Sequence, residues 1–100
     1  MSSKRDDELA FEIVRLVIQE WNPYGLLAEG IPNENEFDSE ICSIAKQRSR
    51  IRGQNDMVAV VSRVFGSSFN DLEEFCLEAC TEVGYKIFKR LLEAKLLEIV

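Results

Sequence analysis

Apolar side chains return at helical spacing in one stretch of this chain after another, and that repeat leaves little room for any fold but one built of helices. From about Asp6 to Trp21 the apolar positions Leu9, Ile13, Leu16, Val17 and Trp21 are widened into a stripe by Ala10, Val14 and Ile18, matching a period of ~3.6 residues. Glu8, Glu12, Arg15 and Gln19 take the other side, with Glu12 and Arg15 forming an i,i+3 pair. Asp6 and Asp7 suit the positive end of the helix dipole.

A second helix is predicted from about Glu36 to Arg50, where Phe37, Ile41, Ile44, Ala45 and Ile51 fall on one side. Asn33 or Asn35 would cap it and Gly53 would end it. The run Met57-Val58-Ala59-Val60-Val61 is β-branched enough for a buried strand. A lone strand has no pairing partner here, so a third helix capped by Asn55 is expected, with Met57 or Val58, Val61, Val64 and Phe65 on its inner face. After Gly66-Ser67-Ser68-Phe69, Asn70 with Glu73 reads as a capping box. It would open a fourth helix running from Asp71 to Leu97 along Leu72, Phe75, Cys76, Ala79, Cys80, Val83, Ile87, Leu91 and Ala94. Such a helix would be about 40 Å long. It would either bend near Gly84 or project, exposing Leu92, Leu96, Leu97, Ile99 and Val100 for self-association.

Between the first two helices, Trp21-Asn22-Pro23-Tyr24-Gly25-Leu26-Leu27 leads into a loop reaching Asn35. Proline fixes φ and removes a donor while glycine allows φ > 0, so Asn-Pro-Tyr-Gly reads as a turn. Trp21 is expected to anchor that loop to the core, and Leu26 and Leu27 to plug the end of the bundle. The expectation is therefore an all-α fold over residues 1–100. It is a small four-helix bundle-like domain with a long loop between helices 1 and 2, a long C-terminal helix and a disordered start over residues 1–5.

Composition limits the chemistry. The 100 residues contain no histidine, which removes histidine acid–base catalysis, Cys–His dyads and histidine zinc sites. Cys42, Cys76 and Cys80 are too few for a disulfide framework. Cys76 and Cys80 stand at i,i+4, but cysteines along an apolar stripe are expected in the core as small hydrophobes rather than on a metal. No catalytic motif or nucleotide-binding loop is present, so neither enzyme activity nor a cofactor is expected. The apolar runs are far shorter than the ~20 residues of a membrane helix, and the N-terminus is acidic where a secretory signal would be apolar. A cytoplasmic location is the expectation.

The net charge of −6 is distributed in blocks. Glu29, Glu34, Glu36, Asp38 and Glu40 are followed by Lys46, Arg48, Arg50 and Arg52, and then by Asp71, Glu73, Glu74, Glu78 and Glu82. A pI near 4.7 argues against a nucleic-acid partner, since phosphate neutralisation needs a dominant basic surface. The basic block lacks interleaved aromatics and reads as a helix C-terminus. The first acidic block lacks the glycine and closing glutamate of a calcium loop. It suits a basic protein partner instead, with Tyr24 as aromatic anchor and Glu34, Glu36, Asp38 and Glu40 as steering charges.

Trp21-Asn22-Pro23-Tyr24-Gly25-Leu26-Leu27, then Pro32, Glu36-Phe37, Glu40-Ile41, Val64-Phe65 and Ser68-Phe69, occur in an order that resembles the YugE-like family of small bacterial domains. The resemblance extends from about Trp21 to Phe69. It implies a small helical fold and carries no catalytic residues; the family tends to place Asp after the tryptophan, where this chain has Asn22. The functional expectation is a small acidic protein-binding domain, in its most concrete form an immunity-type protein that neutralises a basic toxin such as a nuclease. The alternative is a homo-oligomeric structural or regulatory module, a homodimer through the C-terminal helix.

Overall fold

A computed structural model describes residues 4–21 and 37–97. Within them every regular element is helical: α1 (Lys4–Trp21), α2 (Asp38–Lys46), a 3-10 turn (Arg48–Arg50), α3 (Gln54–Ser68) and α4 (Leu77–Glu93). The helices close a ring, α1 packing on α2, α2 on α3, α3 most extensively on α4, and α4 back on α1. That is the four-helix, bundle-like arrangement expected from the periodicity. The loop from Asn22 to Glu36, with its cap by Asn33 or Asn35 and the plug by Leu26 and Leu27, lies outside the described residues.

α1 already includes Lys4 and Arg5, which were expected to be disordered. Its buried line is Ala10, Val14, Val17 and Ile18, whereas Leu9 and Leu16 are 46% and 49% exposed. The stripe is thus rotated away from its two most apolar-looking members, the small and β-branched residues taking the inner face. Glu12 and Arg15 form the expected pair at 3.6 Å. In α2 the inward set Phe37, Ile41, Ile44, Ala45 and Ile51 is buried as the spacing requires.

α2 ends earlier than expected. At Gln47 the backbone turns back onto Ile44 and the chain tightens into the 3-10 turn, with Gln47 Nε2 donating to the Ser43 carbonyl at 3.2 Å. Gly53 does not close this helix; it is the N-cap of α3, replacing Asn55 in that role. The valine-rich run is helical, burying Met57, Val58, Val60, Val61 and Phe65.

The fourth helix departs most from expectation. Asn70 does not start it but ends α3, at φ 51. The Asn70 N–H bonds the Ser67 carbonyl and the Asp71 N–H the Gly66 carbonyl, the paired 5→2 and 6→1 closure of a left-handed C-terminal cap. Asp71 rather than Asn70 caps the next turn, its Oδ1 accepting the Glu74 N–H at 3.1 Å. α4 then begins at Leu77 with Cys76 as N-cap.

The same closure ends α4, with Lys95 at φ 60 and the Leu96 N–H bonded to the Leu91 carbonyl at 2.9 Å. The reversal folds Leu96 and Leu97 inward beside Leu91, so they are buried rather than projecting, while Leu92 is exposed; Ile99 and Val100 lie outside the described residues. α4 runs unbroken through Gly84, which serves a close crossing with Val58 of α3 instead of a bend.

Candidate functional site

The described members of the expected docking set, Asp38 and Glu40, do not stand out as exposed charges. Tyr24, Glu34 and Glu36 lie outside the described residues. Asp38 is half-buried at the start of α2, and Glu40 is only 8% exposed, its Oε1 accepting the Ser68 hydroxyl proton at 2.5 Å. Glu40 is therefore an interior group and cannot act as a steering charge. The first turn of α2 points it toward the end of α3, a juxtaposition that arises 28 residues away in sequence.

The basic block is divided in the same way. Arg48 is buried, with Nη2 2.6 Å from Asp7 Oδ1 and Nη1 donating to the Ala45 carbonyl at the end of α2. It ties the start of α1 to the end of α2. Lys46, Arg50 and Arg52 are exposed.

Trp21 is partly buried, with its ring edge-on to Phe65 at 5.2 Å and to Phe75 at 5.8 Å. Phe37 and Phe69 complete an aromatic cluster around Phe65. Trp21 thus reaches the core, while the loop it is expected to anchor lies outside the described residues. Of the cysteines, only Cys80 is a core residue; Cys42 is half-buried and Cys76 exposed. Cys76 is left outside because α4 starts after it, so the extrapolated stripe does not apply there.

Burial, reinforced by the neighbouring Cys76 thiol, raises the Cys80 pKa to about 11. Iodoacetamide at pH 8.5 is accordingly expected to label Cys76 rapidly and Cys80 only under denaturing conditions, as mass mapping would show. The Cys80 contribution to stability is complete below its unfolded pKa of 9.0 and is lost as pH rises through about 11. Cys80→Ala should remove that alkaline loss.

The segment between α3 and α4 presents a surface of a different kind. Asp71 and Ser62 fasten it, the Ser62 hydroxyl donating to the Phe75 carbonyl at 2.5 Å. Phe75 fills the one inward position, 1% exposed. With Phe75 turned in, Leu72 and Leu77 are 70% and 59% exposed, the largest values among the big apolar side chains of the described residues. Beside them in sequence Glu73, Glu74 and Glu78 are exposed, and no Lys or Arg occurs from Phe65 to Glu82; Glu82 itself pairs with Lys86 at 3.8 Å. Sequence reading took Leu72 for a core residue. The signal that could have found it was Asp71 followed three residues on by Glu74, an alternative cap that shifts the register.

A groove between α2 and α3 is lined by Glu40, Ser43, Gln47, Arg63, Ser67 and Ser68, together with Ser39 and Val64. No helix is long and apolar enough to cross a membrane, and no group of three Cys, Asp or Glu side chains converges as metal ligands, both among the described residues. No protein-family model matches the chain, and comparison with curated proteins and with solved structures gives no match.

Proposed function

We propose that this chain is a small acidic protein-binding domain that occupies the surface of a basic partner, with an immunity-type inhibitor of a basic toxin as its most concrete form. The observation that carries the reading is the exposure of Leu72 and Leu77 within a segment whose only charges are acidic. Dehydrating a leucine contributes roughly 1.5–3 kcal/mol, and carboxylates around an apolar centre steer a cationic partner and reject anionic ones. The docking face is accordingly assigned to Leu72, Glu73, Glu74, Leu77 and Glu78, in place of the Glu34 to Glu40 block. Kinship with the YugE-like domains belongs to this proposal and adds no residue to the face. Self-association through the C-terminal leucines has less apolar surface to rest on, since Leu96 and Leu97 turn inward.

The test uses the purified full chain and a basic protein encoded beside its gene. Affinity is expected to fall as salt rises from about 50 to 300 mM. The Leu72→Ala/Leu77→Ala pair should lose about 2–4 kcal/mol of binding with the thermal midpoint nearly unchanged. Absent or salt-insensitive binding, or binding indifferent to both leucines, would sink the reading.

A further inference from the structure

Helix α1 has a second stripe, turned away from its buried line. Arg5, Leu9, Leu16 and Glu20 follow one another at steps of four, seven and four residues, which places them within about 60° of arc at 3.6 residues per turn. All four are exposed, while α2 and α4 cover the side where Ala10, Val14, Val17 and Ile18 lie.

The stripe is symmetric about its own centre. Leu9 and Leu16 each stand three and a half positions from the point between Glu12 and Ile13, and Arg5 and Glu20 each stand seven and a half. Turning a second copy of α1 end for end about that point sets Leu9 against the second copy's Leu16 and Arg5 against the second copy's Glu20, twice over. The patch is thereby complementary to itself, which is the condition for a closed two-fold pair. A parallel arrangement would instead oppose arginine to arginine and glutamate to glutamate. Ile13, half-buried beside the midpoint, widens the apolar centre, and Glu12 on the other flank is bound to Arg15 at 3.6 Å, so its charge is answered within its own copy. Glu20 lies 3.6 Å from Lys86, but both are exposed. Such a pair holds loosely and leaves the carboxylate able to take a second cation.

We infer that the chain forms a weak two-fold homodimer through α1, the two helices antiparallel, with Leu9 and Leu16 at the centre and Arg5–Glu20 pairs at both ends. One helix laid against one helix makes an interface of the small, transient class, so monomer and dimer exchange readily. The contact uses neither the C-terminal leucines nor any residue of the proposed docking face between α3 and α4, so it stands or falls without that reading.

The experiment is sedimentation equilibrium of the full chain from about 10 µM to 1 mM, over which the mass is expected to move from monomer toward dimer. Leu9→Ala/Leu16→Ala should weaken association by at least about tenfold. Arg5→Glu and Glu20→Arg should each do the same, since either one sets like charges against each other at both ends. Mixed in equal amounts, these two variants again oppose unlike charges at both ends, and dimers should return at close to the wild-type concentration although both proteins remain acidic. The double variant Arg5→Glu/Glu20→Arg should likewise associate as the wild type does. Thermal midpoints check that each variant folds; the wild-type series and the leucine pair decide the matter if a charge variant does not. A monomer at 1 mM would assign the stripe to the body of a single chain and overturn the proposal. Association indifferent to the leucine pair, or a mixture of the two charge variants that stays monomeric, would overturn it equally.

Discussion

Replacing Phe65 with alanine is expected to cost about 3–5 kcal/mol of folding stability and to move Trp21 fluorescence emission to longer wavelength. Phe65 is fully buried, and four aromatic rings surround it: Trp21 at 5.2 Å, Phe75 at 5.4 Å, Phe37 at 5.8 Å and Phe69 at 5.9 Å between centroids. Removing the ring forfeits its transfer free energy and the edge-to-face contacts, and leaves a cavity. Those neighbours belong to α1, to the start of α2 and to the α3–α4 junction, so the site has little freedom to collapse. Urea denaturation followed by both circular dichroism and Trp21 emission checks the loss. A destabilisation below about 1 kcal/mol, well short of the usual cost of truncating a buried phenylalanine, would show that the cluster does not hold the ring of helices together.

The second large effect is expected at Gly84. A Cβ placed there would lie 2.7 Å from Val58 Cγ2, 2.8 Å from Val58 Cα and 3.0 Å from Val58 N. Two opposing terms decide the outcome of Gly84→Ala. Helix propensity favours alanine by about 1 kcal/mol, whereas forcing a methyl group into a packed interface costs about 1–3 kcal/mol. Because the obstruction includes backbone atoms, α3 and α4 must separate along their most extensive contact, and the overpacking cost prevails. The difference is a net loss of up to about 2 kcal/mol for alanine, the backbone contacts placing it toward that upper end, and more for valine or leucine. Denaturation midpoints at unchanged m-value measure it. Val58→Ala should not rescue Gly84→Ala, since the Val58 Cα and N remain; full rescue would mean that only the side chain stood in the way.

The first three helices were legible because their periodicity is continuous and their interruptions contain proline, glycine or asparagine. Reading Met57 to Val61 as helix also succeeded, on the absence of any strand partner. What failed were features decided by tertiary distance or by competing local signals. Asn70 and Asp71 both have capping side chains, and only the backbone shows that one ends α3 while the other opens the next turn. Choosing Asn70 as the cap carried the apolar stripe through Leu72 and Cys76 and hid the exposed leucines. Leu9 and Leu16 outrank Ala10 in hydrophobicity, yet Ala10 is buried and they are not, because inward direction is set by where α2 and α4 lie. Glu40 looked like one more charge in an acidic run, and nothing local could indicate that Ser68 would meet it.

The junction from Asn70 to Cys76 is held at few points: the left-handed Asn70, the Asp71 cap, the inward Phe75 and the hydroxyl of Ser62 beneath it. Its outward residues contribute little to the interior, so they can be rewritten without endangering the body that carries them. Such a division lets recognition diverge quickly while architecture stays put, and paralogues with the same frame and different appetites could arise by a handful of exchanges at these outward positions.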